Sequence, residues 1–260
     1  MAASVSPARN NPSVSHAIDA MTVVRQTDHW VALSKPAGVL SVPGKRAGGE
    51  INAAAWVRER YPHADGPITV HRLDMATSGL LLCALNAPAQ RALSIAFQSR
   101  RVAKRYVAAV EGCVPDDHGR IDLPLRLDID RRPWQVVDPV FGKPAQTNYR
   151  VLHRRKGWSL LELSPVTGRS HQLRVHCALG LERDPAAPVQ APPLARHAIL
   201  GDSFYGDPEP PHTSPPSWLP PACPGESGRL LLHATWLAFT DPATGEPVEL
   251  HDPAPFGRED

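Results

Sequence analysis

Residues 71–85 read HRLDMATSGLLLCAL, and two kinds of structure meet inside that run. Its second half, Leu80-Leu81-Leu82-Cys83-Ala84-Leu85, is short, wholly apolar and preceded by turn formers. That is the pattern of a strand buried on both faces. The first half is polar and carries a single acid, Asp74. Thr77, Ser78 and Gly79 follow it, with hydroxyls and a backbone freedom that hold loops in shape. An acid on a loop is ordinarily a turn residue or a helix cap. One fixed beside a rigid core strand is suited to chemistry instead.

A second run, TGRSHQLRVH over Thr167 to His176, brings Arg169, His171 and Arg174. Ser170 is placed to cap a helix over His171 to Leu179, and Gly180 suits its end. On such a helix His171, Arg174 and Ala178 share one face, while Leu173, Val175 and Cys177 turn to the core. Arg174 is then expected to project toward Asp74, where a guanidinium would keep the carboxylate ionised. A purely structural ion pair is the other reading of Arg174, and the two are compatible.

Outward from these runs, a strand pattern covers Met21 through His29 to Ser34, and Lys35-Pro36-Ala37-Gly38 makes a turn. Val39 to Val42 reads as a short strand. Asn52 to Arg60 reads as a helix, with Ala53, Val57 and Tyr61 spaced by four. Asn86 caps a second helix reaching about Ser99, with Leu93 and Phe97 on its apolar stripe. Val102 to Val110 and Trp158 to Leu163 alternate as strands do. Ile199 to Asp202 and Leu230 to Ala234 are core-like. Proline removes a donor and fixes φ, so the Pro-rich segments 181–195 and 207–226 are surface loops. The sum is an α+β fold with a mainly antiparallel sheet. One domain spans 21–253, between a flexible tail at 1–20 and a short C-terminal tail at 254–260.

Composition bounds the function. At 260 residues with 42% apolar and 21% charged content, the chain has a sizeable core. No window approaches the apolar length of a membrane span, and the N-terminus lacks the apolar core of a secretory signal. Cys83, Cys113, Cys177 and Cys223 lie far apart with no CxxC pair, as reduced thiols of a cytoplasmic protein do. His171 and His176 are five apart, which does not set two metal ligands on one helix face, so no metal site is expected. The net charge is only +2, but 23 of the 28 basic residues are Arg. They cluster at 100–105, 131–132 and 150–156, and read equally as solvated faces or as a surface for phosphates and bases. HRLD is superficially kinase-like, yet no Gly-rich loop, DFG, P-loop, GxSxG or HExxH accompanies it.

In order along the chain, KPAG at 35–38, HRLDMATSG at 71–79, KRYV at 104–107, TGRSHQLRVH at 167–176, ILGDSFYG at 199–206 and RLLLHA at 229–234 resemble the motifs of the RluA family of RNA pseudouridine synthases. The resemblance spans about Met21 to Pro253. SVPG at 41–44, MATSG at 75–79 and KPAQT at 143–147 look like the dual-specificity members, which act on 23S rRNA and on uridine 32 of tRNA. The resemblance implies a mixed, mainly antiparallel central sheet whose helices and loops frame a basic cleft. It implies an isomerase, active without metal, redox cofactor or nucleotide, working as a cytoplasmic monomer on structured RNA. It implies that Asp74 starts the reaction, that Tyr106 stacks on the target base, that Arg174 pairs with Asp74, and that Arg72 fills the gap left by the flipped uridine. His71, Thr77, Lys104, Arg105, Arg169 and His171 are the further RNA contacts it implies. Two departures stand out: the link between Gly180 and Ile199 and the Pro-rich run to Glu226 are both long. A catalytically silent RNA-binding protein of the same fold is the alternative, and retention of Asp74, Tyr106 and Arg174 together argues against it.

Overall fold

The apolar run of residues 80–85 does form the expected strand, and the rest of the molecule is arranged around it. In the computed structural model, residues 18–44, 52–184, 186–189, 193, 195–206 and 228–257 are described. Strand β1 (Thr22–Gln26) and strand β2 (Trp30–Lys35) form an antiparallel hairpin, not one continuous strand. Thr27 makes the turn: its Oγ1 accepts from the backbone N–H of both His29 and Trp30. Helix α1 (Ala53–Arg60) follows, with Asn52 accepting from Ala55 N at its start. Strand β3 (Ser78–Ala84) is buried at all seven positions. Burying a leucine in this way stabilises by about 2 kcal/mol, so the three in β3 anchor the sheet. Helix α2 (Ala87–Gln98) is capped by Asn86, as expected, through Ala89 N at 3.0 Å.

The remainder of the described chain adds eight strands and one helix. It runs through β4 (Ala103–Glu111), β5 (His118–Asp122), β6 (Leu125–Leu127), β7 (Gln135–Val137), β8 (Gln146–Arg155) and β9 (Trp158–Pro165). Helix α3 (Gln172–Gly180), β10 (Leu232–Thr240) and β11 (Pro247–His251) complete it. Among the described residues, nine strands make one sheet in the order β1-β2-β3-β10-β4-β9-β8-β5, with β11 also on β10, while β6 and β7 pair apart from it. All its pairings are antiparallel except one: β10 runs parallel to β3. Val39 to Val42 forms no strand; Leu40 makes a single bridge to Asn52.

Two large cores lie toward the two ends of the sheet. One gathers β2, β3, α1 and α2 around Trp30, Leu33, Val57, Leu81 and Leu93. The other gathers β4, β5, β9 and α3 around Ala108, Ile121, Leu161, Leu163 and Leu173. Tyr106 packs against both. The strands β3, β10 and β4 therefore mark the line where the halves meet, and the Asp74 loop enters β3 on that line. Of the two Pro-rich loops, the first is closed at its ends by a bridge between Glu182 and Ala195. The second, 207–226, lies outside the described residues, as do residues 1–17 and Cys223. No helix among the described residues is long and apolar enough to cross a membrane.

Candidate active site

The loop bearing Asp74 is gripped from outside. Lys35, the last residue of β2, is wholly buried. Its Nζ donates to the carbonyls of Pro36 and Val39, both at 2.8 Å, and of Met75 at 3.3 Å. The Met75 carbonyl also accepts from Gly38 N at 2.8 Å. Ser41 Oγ donates to the Leu73 carbonyl at 2.7 Å and accepts from Leu73 N at 3.0 Å. Both neighbours of Asp74 in the chain are thus fastened to the 35–41 turn. The loop closes on itself where Thr77 N donates to the Asp74 carbonyl at 3.1 Å. Burial pulls the Lys35 amine down to about 7, against the opposing charge of Asp74. Sequence reading took Lys35 as part of a turn only. The missed signal was register, since Lys35 follows Leu33 and Val31 at steps of two, on one face of β2.

His71, expected to touch RNA, is a fastener of the same loop. Its Nε2 accepts from Leu82 N at 2.9 Å and its ring stacks on Phe97 at 4.3 Å. An acceptor Nε2 requires the neutral ring. Burial, with Lys104 adding to it, holds the imidazole down at about 3, so it presents no positive charge to a phosphate.

The opposite wall is built by α3 and the 202–205 turn, and here two expectations are corrected. Ser170 does not cap the helix. Its N-cap is His171, in the left-handed region at φ 52° with no side-chain cap bond. Gln172 does the fastening instead. Its Oε1 accepts from Arg169 N at 3.0 Å and from the Thr167 hydroxyl at 2.7 Å, and its Nε2 donates to the Gln146 carbonyl and to Thr147. Nor does Arg174 pair with Asp74. Helix α3 is buried from Gln172 to Ala178, so it has no open face there. Arg174 is bound by Asp202, Nε to Oδ2 at 2.8 Å and Nη2 to Oδ1 at 2.6 Å. Asp202 lies in the turn beyond the long link and also accepts from Phe204 N and Tyr205 N. Its signal in the sequence was an Asp placed two and three residues before an aromatic pair, an Asx-type turn.

Burial opposes the Arg174 charge, but the bonds to Asp202 outweigh it, and the field of Asp74 adds to them, so its pKa lies above the ordinary value. Phe204 and Tyr205 lie 4.9 and 5.3 Å from the same guanidinium. His171 stacks on Phe204 and meets the Tyr205 hydroxyl at 2.8 Å through Nδ1. That hydroxyl also accepts from Gln135 N at 2.8 Å. Two neighbours thus hold the unusual backbone of His171, which by itself costs about 1–3 kcal/mol.

Tyr106 on β4 forms the floor. Burial first, then the charge of Asp74, raises its pKa well above the ordinary phenol, so it is a neutral hydroxyl at working pH. Lys104 shares its face, beside Gly168, and burial lowers its amine from the usual value. Arg105 projects to the other face of β4, its guanidinium 4.3 Å over Trp236. Thr77 is buried behind the loop, and Arg169 spends its Nε on the Pro144 carbonyl. Arg72 is exposed and makes no hydrogen bond or ion pair among the described residues. The Asp74 field reaches Lys35, Tyr106, His171, Arg174 and Tyr205. Among the described residues, no group donates a hydrogen bond to the half-buried Asp74 carboxylate.

A braced carboxylate, a neutral phenol and a buried guanidinium at the seam of a divided, mainly antiparallel sheet define a class. The chain belongs to the RNA pseudouridylate synthase family, whose model matches residues 29–179. It is 40% identical over 238 residues to the dual-specificity RNA pseudouridine synthase RluA of Escherichia coli K12, covering 91% of this chain and 94% of that one. The enzyme of the same name from Yersinia pestis is also 40% identical and is covered in full. Among solved structures, human RNA pseudouridylate synthase domain containing 1 superposes with a TM-score of 0.66 at 26% identity, over 92% of this chain and 85% of that one. Human RNA pseudouridylate synthase domain containing 4 shares the fold, with a TM-score of 0.65 at 24% identity.

Proposed function

We propose that this protein isomerises uridine to pseudouridine in structured RNA, with both 23S rRNA and the anticodon loop of tRNA, at position 32, as substrates. The observation that carries the reading is Asp74: an acid held from both sides, with its carboxylate uncommitted, in a family of pseudouridylate synthases. The two-substrate part rests on the likeness to relatives named for dual specificity.

The chemistry breaks the N1–C1′ bond, turns the uracil, joins C5 to C1′, removes the C5 proton and leaves N1 protonated. Asp74 begins it, either by attack at C1′ or by taking the 2′ proton; both need the carboxylate against the ribose. Tyr106, kept neutral, packs on the base and offers a hydroxyl for proton traffic, not a phenolate. Arg174 acts through position: Asp202 fixes it, with its guanidinium in the field of Asp74. A uridine stacked in a loop is out of reach, so it is flipped, with exposed Arg72 filling the vacancy. Lys104 and Arg169 meet the backbone phosphates at the rim. No step calls for a nucleotide cofactor. The protein works as a monomer in the cytoplasm, where its RNA is.

The test is pseudouridine mapping on unmodified tRNA and 23S rRNA transcripts incubated with the protein and with Asp74→Asn. New pseudouridine in both RNAs, absent with the variant while RNA is still bound, is the expected result. Modification of one RNA alone narrows the substrate. Modification that persists in the variant removes Asp74 from its role, and none with the native protein leaves a silent RNA-binding protein.

A further inference from the structure

The reaction as proposed leaves one buried polar chain unused. His233 on β10 is 3% exposed and faces β3 at the start of that strand. Its Nδ1 lies 3.0 Å from Ser78 Oγ. Its Nε2 lies 2.9 Å from the Asp252 carbonyl and 3.4 Å from the Asp252 carboxylate. Those two oxygens only accept, so Nε2 carries a proton, while Nδ1 meets the Ser78 hydroxyl, which also reaches the Leu232 carbonyl at 3.4 Å. Asp252, just past β11, is tied back to β10 through its N–H to Thr235 O. The buried carboxylate oxygen nearest His233 has no hydrogen-bond partner of its own. A Ser–His–Asp line would suggest a nucleophile, but Ser78 is 3% exposed and no substrate atom can reach it.

Its place in the fold gives the chain a different meaning. The parallel contact between β3 and β10 holds only two residue pairs, His233 with Ser78 and Ala234 with Gly79. So short a ladder fixes the entry to β3 weakly, yet that entry is where the Asp74 loop ends. Thr77, the residue before Ser78, carries the N–H that closes the loop onto the Asp74 carbonyl. Lys35 and Ser41 brace the loop on the β2 side; on the β10 side, Ser78 and His233 are the side chains that brace it.

We infer that His233, held by Asp252 and bonded to Ser78, is a positioning residue that sets the Asp74 carboxylate against the nucleotide. It touches neither substrate nor reacting atoms, so its effect falls on the chemical step and not on RNA binding. A small displacement of a reacting group is enough to matter, because rate falls steeply with misalignment. The inference rests on the proposed activity.

The experiment compares the native protein, Asp74→Asn, Ser78→Ala, His233→Phe and His233→Asn. It measures single-turnover pseudouridine formation at saturating RNA, RNA affinity by filter binding, and thermal unfolding. Ser78→Ala and His233→Phe are expected to slow the single-turnover rate about ten- to a hundredfold, with affinity little changed. His233→Asn keeps an amide in reach of Ser78 and is expected to recover most of the rate. A full rate in Ser78→Ala, an affinity loss that accounts for the slower rate, or an Asn variant as slow as Phe would each overturn the inference. If His233→Phe does not fold, Ser78→Ala decides alone, since it removes one oxygen. A native protein that forms no pseudouridine overturns the functional reading, and this inference with it.

Discussion

Arg174 and Asp202 meet through two hydrogen bonds, of 2.8 and 2.6 Å, with both side chains almost entirely out of water. The pair joins α3 to the turn that carries Phe204 and Tyr205, and it sets the guanidinium where it feels the charge of Asp74. Removing one member of such a pair leaves the other charge buried alone.

Asp202→Asn is accordingly expected to lower the unfolding free energy by about 3 kcal/mol. Pseudouridine formation should fall with it, since Arg174 loses its fixed place. Urea titration at neutral pH reads the first effect. Arg174→Lys should not spare the site, because an ammonium cannot make the two-pronged contact. An unchanged urea midpoint in Asp202→Asn would mean the pair holds nothing together.

Arg72 offers the opposite case. Its exposed side chain has no partner among the described residues, so Arg72→Ala should leave stability within about 0.5 kcal/mol of the native value. Productive RNA binding should weaken, and the dependence of affinity on salt should become shallower. Equal affinity and single-turnover rate in the variant would remove Arg72 from the flipping role.

Gly79 and Gly245 make a paired test of backbone packing. Gly79 has φ +106°, and a Cβ there would lie 2.3 Å from the Ala234 carbonyl oxygen and 2.6 Å from Ala234 N. Gly245 has φ +76° with nothing within 4 Å. Gly79→Ala should cost well over about 2 kcal/mol, since β10 must move, whereas Gly245→Ala should cost about 1 kcal/mol from strain alone. Similar losses in the two variants, read by thermal unfolding, would contradict the close approach of β3 and β10.

Acid should loosen the fold through His176. It is buried, its Nε2 donates to the Leu123 carbonyl and its Nδ1 accepts from Thr147. Burial, only partly offset by the Leu123 carbonyl and Asp122, lowers its pKa from 6.5 to about 4. As pH falls from 6.5 toward 4, the unfolded chain binds the proton first. Stability present at neutral pH is therefore lost over that window, by up to about 3 kcal/mol. His176→Gln should flatten the stability profile between pH 6.5 and 4; a profile of native steepness would assign the acid response to other groups.

These residues also show what a sequence yields and what it withholds. The strand over residues 80–85 and the helix begun by Asn86 were legible because local signals decide them: an apolar run and a capping side chain. Asp74 and Tyr106 were singled out through long motifs, and the fold sets them near one another at the seam. Arg174 was misread. Helical spacing placed it on a face shared with His171, but α3 is enclosed on all sides, and its partner comes from 28 residues downstream. Ser170 looked like a cap, and Gln172 took that work because Gln146 and Thr147 lie beside it in space. Strands β5 to β8 went unread, since a basic run such as Arg154-Arg155-Lys156 hides the alternation of an exposed strand. Long-range pairing decided each of these, and no local pattern encodes it.

The position of β10 has a consequence for how the molecule comes into being. Among the described strands it is the tenth of eleven in chain order, yet it lies between β3 and β4 in the sheet. Until it emerges from the ribosome, β3 and β4 have no shared neighbour, and each presents an unpaired edge to the cell. The half-made enzyme can fold its separate cores, but it cannot bring the Asp74 loop and Tyr106 to their final spacing. Its most aggregation-exposed stage is the one in which β10 has yet to close between these distant segments.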